Sequence, residues 1–545
     1  MTGIRENLET FNGLVQHAAS LVRAGALEEA AVQSQLAARF AWLDHTGLFA
    51  STELERVVDQ LRKSLPGKQP GRTAPGDGIL RVVHVATQLY GAGGHTQTIA
   101  CWVRQDSSSS HQLLLTRQGS APLPEKISGC LPGPRAVQYL DRAPGGLLRR
   151  AAALRRAVET ADVVIVHAHP DDVVPAIALG TESSPPAVYV NHADHVFWLG
   201  TSAANVLLNL RRSGERLSIA RRGVEPGRCM VANRPLELAQ SAALPSARRS
   251  ELRSRWGVSD GDFLVVSAAA ASKYDSVGTE SLIELFESFL RRQPHARLLV
   301  AGPSCVGQWA EASSATNGRI RAVGRLSDVA TLLSAADAYL DSFPFASLTS
   351  LLEAGVHGLP LVTYRGHPAE CDVLGADSPG LERNLFTPSS HHEFVSTMTS
   401  LAESPSFRAA RGNSTRSAVL AGHSLGAWDD TVREIYSQAR RAVTEPSPRT
   451  ATWQDGPLDQ LVALVQQQTG FGGSVDAAEA DVLSLRPAGQ RLRLWAELKK
   501  TRHMRASLLL PEWTRARVAG LRRRFLALRS SPRQPGSRSF HSGGT

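Results

Sequence analysis

The sequence predicts an α/β protein in which two doubly wound parallel sheets follow one another, with helical regions at both ends. Short, nearly continuous β-branched runs alternate with helical patterns in two series, which is typical of buried parallel strands joined by helices. A chain of 545 residues is too long for one hydrophobic core. Residues 66–79, rich in Pro and Gly, read as a linker before the first series.

Each region follows from its own pattern. Residues 1–65 repeat apolar side chains at helical spacing and are predicted to be helical. Two sheet domains, 80–240 and 241–445, and a basic helical tail with a disordered end, 446–545, complete the chain. The predicted strands are 79–86, 112–115, 162–166 and 187–190, then 263–267, 296–301, 320–323, 338–340 and 361–363; the predicted helices are 147–160, 245–256, 279–292, 328–335 and 347–355.

The net charge of +10 comes from the tail. Residues 482–545 hold fifteen Lys and Arg against two acidic residues, so the rest of the chain carries −3. We therefore expect no nucleic-acid partner for the body. In the tail, apolar residues such as Leu492, Trp495 and Phe525 alternate with arginines. This pattern predicts basic amphipathic helices that bind an anionic membrane surface, and the alternative is a helical cap packed on the sheet domains.

Cysteine usage and hydropathy indicate the compartment. The five cysteines are scattered without a CxxC pair, which favours a reducing environment and argues against a disulfide framework. The first residues lack the apolar core of a secretory signal, and no apolar run approaches the ~18 residues that a membrane span needs. We expect a cytoplasmic protein that the tail can hold at the inner face of the membrane.

The turn after the first predicted strand is rich in glycine. Gly93 and Gly94 precede His95 and a predicted helix, so the backbone can approach a ligand and the helix start favours an anionic group. The spacing is not GxGxxG and predicts no dinucleotide site. A neutral His95 imidazole at the cleft can take a proton from an acceptor hydroxyl, whereas the alternative is a plain tight turn.

The second series holds the strongest local pattern, LDSFPFASLTSLLEAG at 340–355. Pro344 ends a strand, and Ser347 is predicted to cap the next helix. Ser347 and Thr349 would offer donors to a diphosphate, and Glu353 would offer a carboxylate to a ribose diol. An ordinary capped helix is the alternative.

These segments, GAGGHT at 91–96 and LDSFPFASLTSLLEAGVHGLPLVTY at 340–364, resemble glycosyltransferases of the GT-B architecture over about residues 80–440. The resemblance implies tandem Rossmann-like domains, the first for the acceptor and the second for a nucleotide diphosphate-sugar, with a UDP-sugar expected. DSFPF is most similar to the inverting branch that includes O-linked N-acetylglucosamine transferases and bacterial protein N-glucosyltransferases. The GGH turn is similar to that of the lipid-II-forming transferase.

The resemblance also implies roles for single residues. Lys273 and Arg325, each after a predicted strand, match basic residues that contact donor phosphates or base, and no bound metal is expected. Many retaining members carry two glutamates eight positions apart. Glu353 fits the second, but Phe345 occupies the first position, so we expect inversion. The acceptor would be a glycan, a lipid-linked sugar or a protein.

Two histidine-rich segments end strands of the first series. HAHPDD at 167–172 resembles the zinc-binding motif of N-acetylglucosaminyl deacetylases, although Val173 stands where that motif continues with Glu. A zinc hydrolase is therefore the alternative enzyme, and acceptor-side lining by His169 is preferred. In NHADH at 191–195 we expect His192 and His195 on the acceptor side and Asp194 as a second candidate general base. The alternative for that loop is a structural polar network at 191–195. For the whole protein the alternatives are a non-catalytic binding protein with a transferase-like core or a sugar-nucleotide isomerase.

Overall fold

A computed structural model describes the chain over residues 3–66, 78–91, 94–236, 245–275, 280–375, 377–424, 426–442, 450–468, 475–500, 502–515 and 517–518. The N-terminal region is helical, with α1 (Ile4–Arg23), α2 (Leu27–Leu43) and α3 (Thr52–Ser64). Buried Glu55 joins α3 to the next domain, because its carboxylate accepts the N–H groups of Gly200, Thr201 and Ser202 at 2.6, 3.0 and 3.1 Å. Most of the predicted linker, 67–77, lies outside the described residues.

The first sheet is parallel throughout, in the order β3-β2-β1-β4-β5-β6-β7. Its strands are nearly continuous apolar runs because helices cover both faces. The elements are β1 (Arg81–Ala86), α4 (Gly94–Gln105), β2 (Ser110–Leu115), α5 (Glu125–Ser128), β3 (Val137–Tyr139), α6 (Leu147–Ala157), β4 (Val163–His167), α7 (Val173–Ala178), β5 (Ala187–Asn191), β6 (Val206–Asn209), α8 (Arg212–Ala220) and β7 (Cys229–Val231).

The second sheet repeats this topology in the order β10-β9-β8-β11-β12-β13. Its elements are α9 (Ser246–Arg255), β8 (Phe263–Ala268), α10 (Leu282–Leu290), β9 (Ala296–Ala301), α11 (Gln308–Ala315), β10 (Ile320–Gly324), α12 (Val329–Ala335), β11 (Ala338–Leu340), α13 (Leu348–Val356), β12 (Leu361–Val362), β13 (Leu385–Phe386), α14 (His391–Glu403), α15 (Pro405–His423) and α16 (Asp429–Arg441). The predicted fold class is therefore confirmed, with parallel doubly wound sheets in tandem.

Helix α16 crosses back to the first sheet. Its Tyr436 and the preceding Trp428 pack in the core beneath that sheet, beside Trp102 of α4. The last sheet-domain helix thus belongs to the first core, although its sequence follows the second sheet.

The C-terminal region packs on the N-terminal helices and the first sheet domain. It contains α17 (Pro457–Gln468), α18 (Val475–Val482) and α19 (Ala488–Leu498). Arg39 of α2 pairs with Asp481 at 2.6 Å, and Glu512 pairs with Arg117 and Arg150 at 2.5 and 2.7 Å. The described part of the tail is therefore a cap on the body, while residues 519–545 lie outside the described residues. No helix in the described ranges is both long and apolar enough to cross a membrane.

Candidate functional site

The two sheet domains face each other across a cleft. In both sheets the strand order reverses beside the first strand, between β1 and β4 and between β8 and β11, and ligands of such folds bind at this point. Across the cleft the imidazole of His195 contacts the ring of Phe345 with centroids 4.4 Å apart. The loops after β5 and β11 thus form opposite walls of one site.

His95 lies on the first-domain wall, at the start of α4. Its ring is 4.0 Å from that of His192 and 5.9 Å from that of His169, so the predicted base lies beside two of the predicted acceptor-side residues. Burial, with the charge of Arg234 adding to it, lowers the pKa of His95 to about 3 and that of His192 well below its usual value. Both imidazoles are therefore neutral in the resting site, and each keeps one nitrogen lone pair that can accept a hydrogen bond.

Gly94 leaves space for a cation beside His95. A Cβ atom at this position would meet the guanidinium of Arg234, so a side chain here would displace that group from its present position. The neighbouring Gly93, predicted on the acceptor side, lies outside the described residues.

A polar cavity of about 480 Å³ opens beside this cluster. His169 lines it, together with Tyr90, which stacks on the His169 ring at 6.2 Å. Charged side chains of both signs form the rest of the wall, among them Arg39, Asp171 and Arg515. The cavity is therefore polar, and His169 connects its wall to the ring of His95.

Asp194 makes a buried ion pair. Its oxygens accept from Nε and Nη2 of Arg211 at 2.6 and 2.9 Å, and Arg211 also donates to the carbonyl of Val373 in the second domain at 2.6 Å. The guanidinium holds the pKa of Asp194 far below its usual range, despite burial. His195 lies 3.4 Å from the same carboxylate. These contacts favour the structural alternative for Asp194, because a carboxylate so strongly stabilised is a weak base.

The second-domain wall is built by the loop before α13. The Asp341 carboxylate accepts the N–H groups of Ser342 and Ser347 at 2.8 and 2.9 Å, and this folds the loop onto the helix start. Ser347 occupies the predicted N-cap position, yet its hydroxyl contacts Ser350 at 3.3 Å and does not cap the helix. The first N–H groups of α13 therefore have no side-chain cap, which suits an anionic ligand.

Two cations stand at this helix start. Nη1 of Arg234 donates to Oγ1 of Thr349 at 2.8 Å. The ammonium of Lys273 donates to the Ala346 carbonyl at 2.8 Å and lies 4.5 Å over the Phe345 ring. Burial lowers the pKa of Lys273 to about 8. Lys273 and Thr349 thus both lie at the start of α13, and their role in donor binding stays a prediction.

The remaining predicted donor residues are more peripheral. Glu353 lies in the second turn of α13, with part of its side chain exposed. Desolvation of its carboxyl group raises its pKa, and the nearby charge of Arg234 opposes this rise. Arg325 is exposed in the loop after the edge strand β10, and no contact joins it to the other predicted donor residues.

The carboxylates of the zinc alternative, Asp171 and Asp172, are held by other partners. Asp172 caps α7 through Val174 N–H at 3.0 Å and accepts from the hydroxyls of Thr87 and Thr116. Asp171 faces Arg39 at 3.7 Å. In the part of the chain that the structure describes, no group of three or more His, Cys, Asp and Glu side chains is placed to hold a metal ion.

Two arginines of the cleft, Arg211 and Arg234, were not singled out from the sequence. Each follows a strand of the first domain, after β6 and β7, in segments without a recognisable motif. Their partners, Asp194 and Thr349, lie 17 and 115 residues away along the chain. An arginine just after a buried strand was the only available signal.

No protein-family model and no curated protein matches the sequence. Among solved structures, HepE of Anabaena in complex with UDP and glucose matches with a TM-score of 0.50 and 15% identity, covering 66% of this chain and 99% of that protein. A glycosyltransferase of Rickettsia africae matches at 0.49 and 11% identity, over 67% of this chain and 99% of that one. An O-GlcNAc transferase mutant of Thermobaculum terrenum matches at 0.45 and 14%, over 81% and 85%. With its two parallel sheets in tandem, the chain has the GT-B glycosyltransferase fold.

Proposed function

We propose that this protein is a glycosyltransferase that moves a hexosyl or N-acetylhexosaminyl group from a UDP-sugar to an acceptor hydroxyl or amide. The observation that carries the proposal is the arrangement of the cleft. Neutral imidazoles of His95 and His192 lie on one wall, and the open start of α13 with Lys273 and Arg234 lies on the other. A base and an anion site thus face one reaction centre.

The donor half would hold the diphosphate. The leaving diphosphate gains negative charge as the glycosidic bond breaks, and the N–H groups of α13 with the two cations would offset it. The N–H groups and the two cations would supply the positive charge that a metal ion provides in metal-dependent enzymes. We therefore infer metal-independent transfer. Glu353 would bind the ribose hydroxyls and Arg325 the outer part of the nucleotide. UDP is the inferred nucleotide because HepE, which shares the fold, was solved with UDP and glucose.

The acceptor half would present the nucleophile. A glycan, a lipid-linked sugar or a protein segment would enter through the polar cavity beside His169, and the His95–His192 pair would remove its proton. Phe345 faces His195 where a retaining enzyme would need a carboxylate, so direct displacement with inversion is proposed. The basic residues of the tail would keep the protein near an anionic membrane surface.

A ligand screen tests this function. Purified protein is mixed with UDP-, GDP-, ADP- and dTDP-sugars, and thermal stabilisation, nucleotide release and the anomeric configuration of any product are measured. We expect one UDP-sugar to stabilise the fold, and Lys273→Met to abolish this effect while the exposed-site control Arg135→Ala keeps it. Failure of every nucleotide-sugar to bind or react, with no effect of changes at Lys273 and Glu353, would refute the proposal.

A further inference from the structure

A row of buried imidazoles crosses the first sheet, starting at the cleft. Successive ring nitrogens lie 3.0, 3.2 and 3.2 Å apart, so each ring is hydrogen-bonded to the next. Both central rings are fully buried. The members, in order from the cleft, are His192, His167, His84 and His111, and we call them the histidine row.

The register of the sheet builds this row. His84 lies on β1, with His111 on β2 opposite Val82 and His167 on β4 opposite Ala86. Positions 82, 84 and 86 share one face of β1, so the three side chains project to the same side. The ring centroids are 5.3, 5.5 and 5.3 Å apart, close to the separation of neighbouring strands, about 4.8 Å. The imidazoles on β2, β1 and β4, and that of His192 just after β5, are therefore close enough for each to hydrogen-bond to the next.

The far end of the row fixes the direction of its hydrogen bonds. Nε2 of His111 lies 2.9 Å from the carbonyl oxygen of Asp106 and 3.4 Å from its carboxylate, and both are acceptors only. A neutral His111 therefore carries its proton on Nε2, and each neutral ring before it must then donate through Nε2 as well. Every N–H points toward Asp106. Nδ1 of His192, without a hydrogen-bond partner among the described residues, is the basic nitrogen left at the cleft.

Asp106 ends the row as an anion. Its carboxylate accepts from the hydroxyls of Tyr436 at 2.7 Å and Ser108 at 2.9 Å, and hydrogen bonds hold its pKa below the usual range. The indole of Trp102 packs edge-on against His84 and donates to the Tyr436 hydroxyl at 2.8 Å. Helices α4 and α16 thus cover the row and keep it dry.

We propose that the histidine row carries the acceptor's proton away from the cleft, from His192 to the Asp106 end, during sugar transfer. The inference rests on the proposed function. As the acceptor oxygen bonds to the anomeric carbon and the diphosphate leaves with the bonding electron pair, the acceptor O–H bond breaks and its proton joins Nδ1 of His192. Each Nε2 proton then shifts to Nδ1 of the next ring, which leaves His111 as an imidazolium beside the Asp106 carboxylate.

The charges along the row explain why such a shift is useful. Burial disfavours a charged ring within the row, and it lowers the pKa of His167 to about 3. At the cleft the charge of Arg234 adds to this penalty at His192. At the other end a carboxylate pairs with the imidazolium. After product release the reverse shift returns the proton to water through His192 and restores the resting tautomers without rotation of the packed rings.

This makes His84, His111 and His167 positioning residues that act through His192. His84→Gln separates a relay from a structural role, because a carboxamide can accept from His167 and donate to His111 but cannot pass a proton on. We expect kcat to fall by about 100-fold or more with the KM for the UDP-sugar unchanged. His45→Gln, at a buried histidine outside the row, is the matched control for stability and should keep kcat.

Asp106→Asn serves as the second variant in case His84→Gln does not fold, since the Asp106 carbonyl still orients His111 while the anion is lost. Its expected loss of kcat is similar. Wild-type kcat in either folded variant overturns the inference, as does a ¹⁵N-histidine NMR spectrum that shows the His192 proton on Nδ1 in the resting protein. Absence of any transfer by the wild-type protein refutes the proposed function instead, so the two failures are distinguishable.

Discussion

The guanidinium of Arg234, at the end of the first sheet domain, donates to the hydroxyl of Thr349, at the start of α13 in the second, over 2.8 Å. Arg234 is buried, and its charge acts on the pKa of His95, His192 and Lys273. A single side chain therefore joins the acceptor and donor halves of the site. In the proposed function, this charge would lie beside the leaving diphosphate.

Arg234 should be central to turnover. Arg234→Met is expected to lower kcat/KM for the UDP-sugar by about 10²–10³-fold, because a preorganised donor to the developing charge is lost. Arg234→Lys should recover only part of this, since an ammonium cannot contact both Thr349 and a phosphate as a planar fork does. Steady-state kinetics of both Arg234 variants, with the exposed-site variant Arg135→Ala as the control, would measure these changes in kcat/KM. Equal kcat/KM in Arg234→Met and the control would remove Arg234 from the site.

Lys273 should give the donor site a pH limit. Its pKa is lowered to about 8, so the ammonium is present below that pH and is lost as pH rises through it. We expect kcat/KM for the UDP-sugar to decline above about pH 8 in the wild-type protein. Lys273→Arg keeps its charge and should move the decline to higher pH. A wild-type profile that stays level to pH 10 would contradict a role for this ammonium in binding the diphosphate.

Asp194 should matter more for stability than for chemistry. Asp194→Asn leaves Arg211 charged and buried without its partner, and such a loss costs about 3–5 kcal/mol of unfolding free energy. Asp372→Asn is the matched control at the same domain interface, because its pair with Arg216 is exposed and contributes under about 1 kcal/mol. Denaturant unfolding and kcat per folded molecule are measured together. A 100-fold loss of kcat with unchanged stability would make Asp194 the general base.

The parts of the structure that the sequence predicts are those with local causes. Continuous apolar runs such as Phe263–Ala268 and Ala296–Ala301 must be buried on both faces, and they are strands as expected. Pro344 likewise ends the preceding strand segment through its fixed φ, and Ser347 occupies the predicted N-cap position of α13 although its hydroxyl does not cap the helix. The strands β3, β6, β7 and β13 were not predicted; each has only two to four residues, which gives little periodic signal.

The parts that it does not predict depend on distant pairings. His84 sits inside an otherwise apolar strand, and only the register of β1 with β2 and β4 brings it beside His111 and His167. Arg234 reaches Thr349 only once both sheets are folded and facing each other. Such contacts join residues between 27 and 115 positions apart, beyond the range of any spacing rule.

One carboxylate of the tail pairs with two arginines of the body. Glu512 lies between the guanidinium groups of Arg117 and Arg150, which lower its pKa from 4.5 to about 2. A depressed folded-state pKa stabilises docking above the unfolded value, and this contribution is lost as pH falls from 4.5 toward 2. Glu512→Gln should lose it already at neutral pH, because the guanidinium groups of buried Arg150 and half-buried Arg117 then lack this anion.

Hydrogen exchange of residues 502–515 measures this docking. We expect fast exchange in Glu512→Gln at pH 7 and slow exchange in the wild-type protein, whose protection should fade below about pH 4.5. Glu497→Gln is the matched control, because that carboxylate is exposed and faces only Arg493 within the tail. If Glu512→Gln exchanged as slowly as Glu497→Gln, apolar packing and not the ion pair would hold the tail. Glu512 and Arg515 also line the polar cavity, so release of the tail should widen the acceptor entrance beside His169 and raise the KM for a small acceptor.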